Sequence, residues 1–132
     1  MTYRLQLGHS PDSDDAFMFY GLAAHKVDAE GLEFEHILRD IQTLNEWARE
    51  GRLECTAISV HAYAHVRDRY AILSHGASMG DGYDPMVVAQ SPLTPEDLAG
   101  KRIAVPGTMT SAFLALSLFL DRPLTPAGQR RA

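Results

Sequence analysis

The stretch 98–120 constrains the fold most, because it joins a short strand-like run to a helix that is apolar almost all round. Residues 102–105 are predicted to form a buried strand, Pro106 and Gly107 turn the chain, and 112–120 form the helix. Such a helix needs cover on every side. It could dock on the preceding sheet, pair with a second copy in a homodimer, or belong to a second lobe. The second lobe is favoured, since the apolar excess of this helix demands a core around it.

The part of the chain before this stretch alternates strand-like with helix-like segments. Strands are predicted at 3–7, 32–37, 55–59, 70–74 and 85–89. Helices are predicted at 16–24, between Asp40 and Gly51, at 60–66, and from Pro95 to Gly100. This alternation predicts an α/β fold with a mainly parallel sheet flanked by helices.

Composition excludes several classes of function. The 132 residues suffice for one modest domain, and the net charge is −5 without a dense lysine or arginine cluster, so a nucleic-acid partner is not expected. No apolar run is long enough to cross a membrane. The single cysteine, Cys55, allows no internal disulfide and favours a cytoplasmic location.

Hydroxyl side chains stand at two predicted strand-to-helix turns. Ser59 ends the third strand, and Thr108, Thr110 and Ser111 lie where the last helix begins. Free amide groups and the positive end of a helix dipole can bind a carboxylate or another oxyanion there. The same residue types also serve as ordinary helix caps, and both interpretations stay open.

Two clusters have the appearance of metal sites, but neither is complete. Three carboxylates precede the first helix at Asp12, Asp14 and Asp15, without the closing glutamate of a calcium loop. His61 and His65 are spaced like a zinc pair, yet the sequence offers no third ligand beside them. We therefore expect neither a metal nor a cofactor.

Three motifs, in this order and spacing, carry a resemblance to a known family. They are Ser-Pro-x-x-Asp-Asp-Ala-Phe at 10–17, the strand that ends at Ser59, and Ala-Val-Pro-Gly-x-x-Thr-Ser-Ala-Phe at 104–113. The chain resembles the 1,4-dihydroxy-6-naphthoate synthase family of the futalosine route to menaquinone over residues 3–120. Chorismate dehydratase of the same pathway is related, but the first motif favours the synthase.

The resemblance implies a periplasmic-binding-protein-like fold of type II, with substrate bound between two lobes. It divides the chain into a first lobe of βα units at 1–90, the start of a second lobe at 91–120, and a polar, irregular tail at 121–132. On this division the chain is a truncated form of the family fold.

The activity implied is that of a carbon–carbon lyase that converts cyclic dehypoxanthine futalosine into 1,4-dihydroxy-6-naphthoate. By motif match, Ala57, Ile58 and Ser59 would contact the carboxylate-bearing substrate from the first lobe, and Thr110 and Ser111 from the second. A cytoplasmic module that binds a small carboxylate and a chorismate dehydratase are the alternative functions.

The catalytic base stays unassigned. The resemblance implies a histidine base in a part of the family that this chain does not match, and none of its own histidines lies at that motif position. These are His9, His25, His36, His61, His65 and His75. Because a general base must reach the proton it removes, this chain alone is expected to have little or no lyase activity.

Overall fold

The computed structural model describes residues 2–82 and 85–121 and has an α/β architecture. Its sheet contains β1 (Tyr3–His9), β2 (Leu32–Leu38) and β3 (Cys55–Thr56), all parallel, in the order β2-β1-β3. This confirms the parallel sheet predicted from the alternating segments. The central strand, β1, places its carboxyl end beside the residues that follow β3.

Four helices accompany the sheet within the described residues. They are α1 (Ser13–Ala23), α2 (Ile41–Glu50), α3 (Val60–Tyr63) and α4 (Ser111–Phe119), with a 3₁₀ turn at Glu96–Leu98. None of the described helices is long and apolar enough to span a membrane.

Helix α2 begins and ends where its sequence predicts. The Asp40 carboxylate accepts the Thr43 amide at 2.9 Å, which satisfies one first-turn donor. Gly51 ends the helix at φ 69°, a left-handed conformation that glycine adopts without steric cost. Between these caps, Leu44 and Ala48 are buried on one face, which turns α2 toward the sheet.

The core lies where α2 and α3 pack beside the end of β1. Leu44, Ala62 and Val66 are fully buried. Gly8 permits this packing, because a Cβ there would lie 2.5 Å from Leu53 Cδ1 and 2.8 Å from Leu44 Cδ2. Closely packed, fully buried side chains therefore lie at the carboxyl edge of the strands.

Three predicted strands are wrong: residues 70–74, 85–89 and 102–105 form no strand in the described parts of the chain. A strand requires a hydrogen-bonded neighbour, and local sequence cannot report whether one exists. Side chains that the prediction had buried, such as Leu73 at 69% and Met86 at 85% exposure, lie in solvent. Two elements are also shorter than predicted, because β3 ends at Thr56 and α3 at Tyr63.

The prediction that α1 and α4 are buried is wrong as well. Phe17 on α1 is 89% exposed, and Leu118 and Phe119 on α4 are 71% and 62% exposed. An apolar composition indicates that a helix surface should be buried, but it does not show whether another element packs against that surface. The predicted tail from residue 122 onward lies outside the described residues, and the proposed lobe boundary near residue 90 stays a prediction.

Candidate functional site

The turn at Ser59 and the turn at Thr110 are joined by one buried amide. Asn45, on α2, is completely buried, and its Oδ1 accepts the Ser59 backbone amide at 2.9 Å. Its Nδ2 lies 3.1 Å from Ser59 Oγ and 3.4 Å from the Met109 carbonyl oxygen. Two turns separated by fifty residues of sequence thus meet on one side chain.

The orientation of this amide follows from its partners. A carbonyl oxygen can only accept, so the atom facing Met109 must be the Asn45 nitrogen. An amide N–H can only donate, so the atom facing the Ser59 amide must be the oxygen. The hydrogen-bond network therefore fixes which end of the amide faces which group, and Ser59 Oγ accepts an N–H bond.

A second contact ties α2 to the same turn. The Gln42 Oε1 accepts the Met109 amide at 3.0 Å. Gly107 allows this approach, because a Cβ there would lie 2.2 Å from Gln42 Oε1 and 2.6 Å from Gln42 Cβ, and its φ is 151°. Both polar groups of Met109 thus bond to α2, which holds the turn before α4 against that helix.

A third contact comes from α3. The His61 Nδ1 lies 3.2 Å from the Thr110 carbonyl oxygen, which can only accept, so this ring nitrogen carries a proton. His65 lies one turn later, with its ring centroid 5.8 Å from that of His61. His61 therefore links the two turns. Sequence reasoning had treated this histidine only as half of a zinc pair.

The hydroxyl groups of the two turns differ in what they can still bind. The Thr110 hydroxyl donates to the Gly107 carbonyl at 2.7 Å and accepts the Phe113 amide at 3.3 Å, and Thr110 is 3% exposed. It is therefore a helix cap whose proton is already committed. Ser59 is half-buried, and no acceptor for its hydroxyl proton occurs among the described residues.

The other predicted site residues lie beside these turns. Ala57 and Ile58 are half-buried, and the Ala57 amide donates to the Gly8 carbonyl at 2.8 Å, which fixes the exit from β3. Ser111 is exposed at the first position of α4. The structure brings all five predicted residues into one neighbourhood, and their contact with a substrate stays a prediction.

Sequence reasoning missed Asn45 and Gln42. Asn45 occupies the buried face of α2 one position after Leu44, where the helical period calls for an apolar side chain. A polar residue at such a position was the available signal, because burial requires that its hydrogen bonds be satisfied. The identity of its partners, 14 and 64 residues away, was not accessible from local sequence.

Two imidazoles form a separate cluster on β1 and β2. The His9 Nε2 lies 2.9 Å from His36 Nδ1, and His9 Nδ1 lies 3.1 Å from the Ser10 carbonyl oxygen. Because that carbonyl can only accept, the proton of a neutral His9 lies on Nδ1. His9 Nε2 is then an acceptor, so the proton of a neutral His36 lies on its Nδ1. Burial lowers the pKa of His36, and the His9 and His25 imidazoles lower it further.

Asp15 closes the loop between β1 and α1. Its carboxylate accepts the Ser10 amide at 2.7 Å, and the residue is 9% exposed. Burial raises the pKa of Asp15, and the bond from Ser10 opposes that rise. Asp15, in the first turn of α1, thus has a structural role in shaping the end of β1.

The remaining metal-ligating and thiol groups in the described residues form no further candidate site. Within 2–82 and 85–121, no three histidine, cysteine or acidic residues are grouped so that they could hold a metal ion. Burial raises the pKa of the Cys55 thiol, which favours the unreactive protonated form.

An opening of about 1130 Å³ lies along α4. It is an open groove between the segments 85–95 and 101–106 and the α4 residues Ala112, Ala115, Leu116 and Phe119. The groove does not include Ser59, Thr110 or Ser111. The candidate site is therefore defined by the two bonded turns and not by this groove.

Comparison with known proteins connects this geometry to a family. A family model described as menaquinone biosynthesis matches residues 5–127. A crystal structure of a protein from Archaeoglobus fulgidus is similar with a TM-score of 0.83 and 52% identity, covering 90% of this chain and 44% of that one.

Two curated relatives carry the name 1,4-dihydroxy-6-naphthoate synthase. The protein from Thermus thermophilus is 48% identical over 115 residues, which are 87% of this chain and 41% of the relative. The protein from Streptomyces coelicolor is 32% identical over 116 residues, which are 87% of this chain and 40% of the relative. The chain thus spans less than half the length of the relatives it matches.

Proposed function

The chain belongs to the menaquinone-biosynthesis family, and from that premise we propose that it supplies the substrate-binding part of a 1,4-dihydroxy-6-naphthoate synthase. The reaction would be the carbon–carbon lyase step that converts cyclic dehypoxanthine futalosine into 1,4-dihydroxy-6-naphthoate. The observation that supports this most is the meeting of the Ser59 and Thr110 turns on Asn45. The family resemblance had assigned those two turns to the two sides of one substrate.

The two turns would bind the substrate carboxylate in different ways. Ser59 offers a hydroxyl proton without an acceptor in the described chain. At the start of α4, Thr110 already caps the Phe113 amide, which leaves the first-turn amides of Ser111 and Ala112 as donors. Helix α4 is long enough to have a positive first turn, and this favours an anion at its N-terminus.

The binding groups named here hold the substrate but move no proton. None of them is a general base, and the catalytic base stays unassigned. We therefore propose that this chain binds the substrate and, without further residues of the family, turns it over slowly or not at all.

The remaining parts of the proposal come from the sequence. The partner is a small molecule with a carboxylate, the location is the cytoplasm, and residues 91–120 begin a second lobe. Chorismate dehydratase and a small-carboxylate-binding module were the alternatives. The name shared by both curated relatives favours the synthase over either.

Calorimetric titration of the purified chain tests this function. Cyclic dehypoxanthine futalosine should bind, chorismate should bind more weakly, and chromatography should detect little product. Binding of chorismate alone would indicate the dehydratase, and binding of neither compound would overturn the proposal.

A Ser59→Ala variant locates the binding. Loss of one hydrogen bond to the charged carboxylate should weaken the affinity about ten- to a hundredfold. Ser78→Ala is a control for loss of a serine hydroxyl, since Ser78 is exposed in the loop after residue 76 and its side chain bonds Asp14 on α1, a residue of neither turn. Equal effects of the two substitutions would contradict the assignment of Ser59.

A further inference from the structure

We infer that Asn45 is a positioning residue that fixes the two binding turns relative to each other and directs the Ser59 hydroxyl proton toward the ligand. This inference deepens the proposed function and rests on it for the identity of the ligand. Asn45 itself is completely buried, so it acts through Ser59 and Met109 and does not touch the ligand.

The first step concerns the Ser59 hydroxyl. Its oxygen accepts an N–H bond from Asn45 Nδ2 at 3.1 Å, and the Ser59 amide is occupied by Asn45 Oδ1. A hydroxyl carries one proton and two acceptor positions, so the bond from Asn45 restricts where the proton can point. The O–H is thereby left to donate, which is the bond that a carboxylate needs.

The second step concerns the separation of the turns. The same Asn45 nitrogen donates to the Met109 carbonyl, directly before the cap of α4. A buried amide whose donors and acceptor are all paired is costly to displace, because each broken bond leaves a buried polar group unsatisfied. Asn45 therefore holds the first turn of α4 at a fixed place relative to Ser59, and Gln42 supports it through the Met109 amide.

A spectroscopic experiment tests the bonding. Asn45 is the only asparagine in the chain, so selective ¹⁵N-asparagine labelling gives a single side-chain NH₂ group. Its two protons, bonded to different acceptors, should give two separate signals that exchange slowly with water. Ser59→Ala should shift one of them strongly and the other weakly. Rapidly exchanging signals that ignore Ser59→Ala would overturn the inference, whatever the chain binds.

A binding experiment tests the consequence for the ligand. The probe is naphthalene-2-carboxylate, which carries a carboxylate on a bicyclic ring and has no redox chemistry. Asn45→Ser should weaken its binding about two- to tenfold. Arg49→Ser is the matched control, because it places the same residue on the exposed face of α2. It should bind the probe like the wild type.

A double-variant cycle separates positioning from loss of structure. If Asn45 acts through the Ser59 hydroxyl, Asn45→Ser should add little to the loss already caused by Ser59→Ala. Fully additive losses of binding free energy would overturn the inference. Failure of the wild-type chain to bind the probe would count against the proposed function, while the NH₂ signals would still decide the role of Asn45. If Asn45→Ser does not fold, the side-chain NH₂ signals of the wild type and of Ser59→Ala decide the role of Asn45 in the same way.

Discussion

Gly107 is the residue whose replacement should damage the candidate site most directly. Its φ is positive, and a Cβ at this position would lie 2.2 Å from Gln42 Oε1, which leaves no room for a side chain. We expect Gly107→Ala to lower the free energy of unfolding by about 2–4 kcal/mol, through backbone strain and overpacking. Urea denaturation followed by circular dichroism measures this.

Gly100 provides the control for Gly107. It has φ 73°, but a Cβ there would meet nothing within 4 Å. Gly100→Ala should therefore lower the free energy of unfolding only by the strain of an alanine in a left-handed conformation, about 1–2 kcal/mol. Equal costs at the two positions would contradict the close approach of Gln42 to the turn.

The His36 imidazole should make stability depend on pH. Its pKa in the folded chain lies below the ordinary 6.5, so near and below that pH the unfolded chain binds a proton that the folded chain does not. The contribution of His36 to the free energy of unfolding should therefore be complete above pH 6.5. It should be lost as the pH drops through 6.5 toward the pKa of His36 in the folded chain. Denaturation curves at pH 7.5, 6.5 and 5.5 measure the effect.

Substitution of His36 isolates this contribution. His36→Asn keeps an N–H donor for His9 but does not titrate, so its stability should fall less over the same range. His75→Asn is the control, since His75 is exposed and is not among the groups that shift the pKa of His36. Asp15 has a raised pKa, so its buried charge destabilises the fold less as the pH falls through that pKa, and neither substitution removes this contribution.

At the scale of the element, α4 depends on its cap. Thr110 accepts the Phe113 amide and donates to the Gly107 carbonyl. Thr110→Val keeps the shape and removes both bonds, which should cost about 1–2 kcal/mol of unfolding free energy in chemical denaturation. Thr110→Ser keeps the hydroxyl and should cost less. A valine variant as stable as the serine variant would show that the cap contributes nothing.

Elements with local causes were predictable from the sequence. Asp40 and Gly51 bound α2 because a cap and a left-handed glycine act within one turn of the chain. Thr110 caps α4 for the same reason. The strand-like runs at 85–89 and 102–105 were not predictable, since a strand depends on a partner distant in sequence.

The sequence indicated where the candidate site should lie, but not the hydrogen bonds that join its two turns. The rule that ligands bind at the carboxyl ends of parallel strands indicated Ser59, and the helix start indicated Thr110. The bridge through Asn45 spans 64 residues to Met109, and no local pattern reports such a contact. The sequence also left open whether Thr110 caps helix α4 or binds a ligand. In the structure its hydroxyl caps the helix.

At the scale of the whole molecule, the exposed outer face of α4 leads to a prediction about association. Leu118 and Phe119 present apolar surface, and a homodimer that covers the last helix was one expectation from the sequence. If that dimer forms, sedimentation should show a concentration-dependent mass, and Leu118→Glu should shift it to the monomer. Leu73→Glu is the matched control, because Leu73 is likewise exposed, at 69%, and lies outside α4. A monomer at all concentrations would contradict the dimer.

The most direct test of the two-turn site is a titration followed by backbone amide signals in ¹H–¹⁵N spectra, with naphthalene-2-carboxylate as the ligand. The Ser59 and Ser111 amides should shift together and give one dissociation constant, because both turns would contact the same carboxylate. Shifts confined to one turn, or to the groove residues at 85–95 and 101–106, would contradict the site described at Ser59 and Thr110.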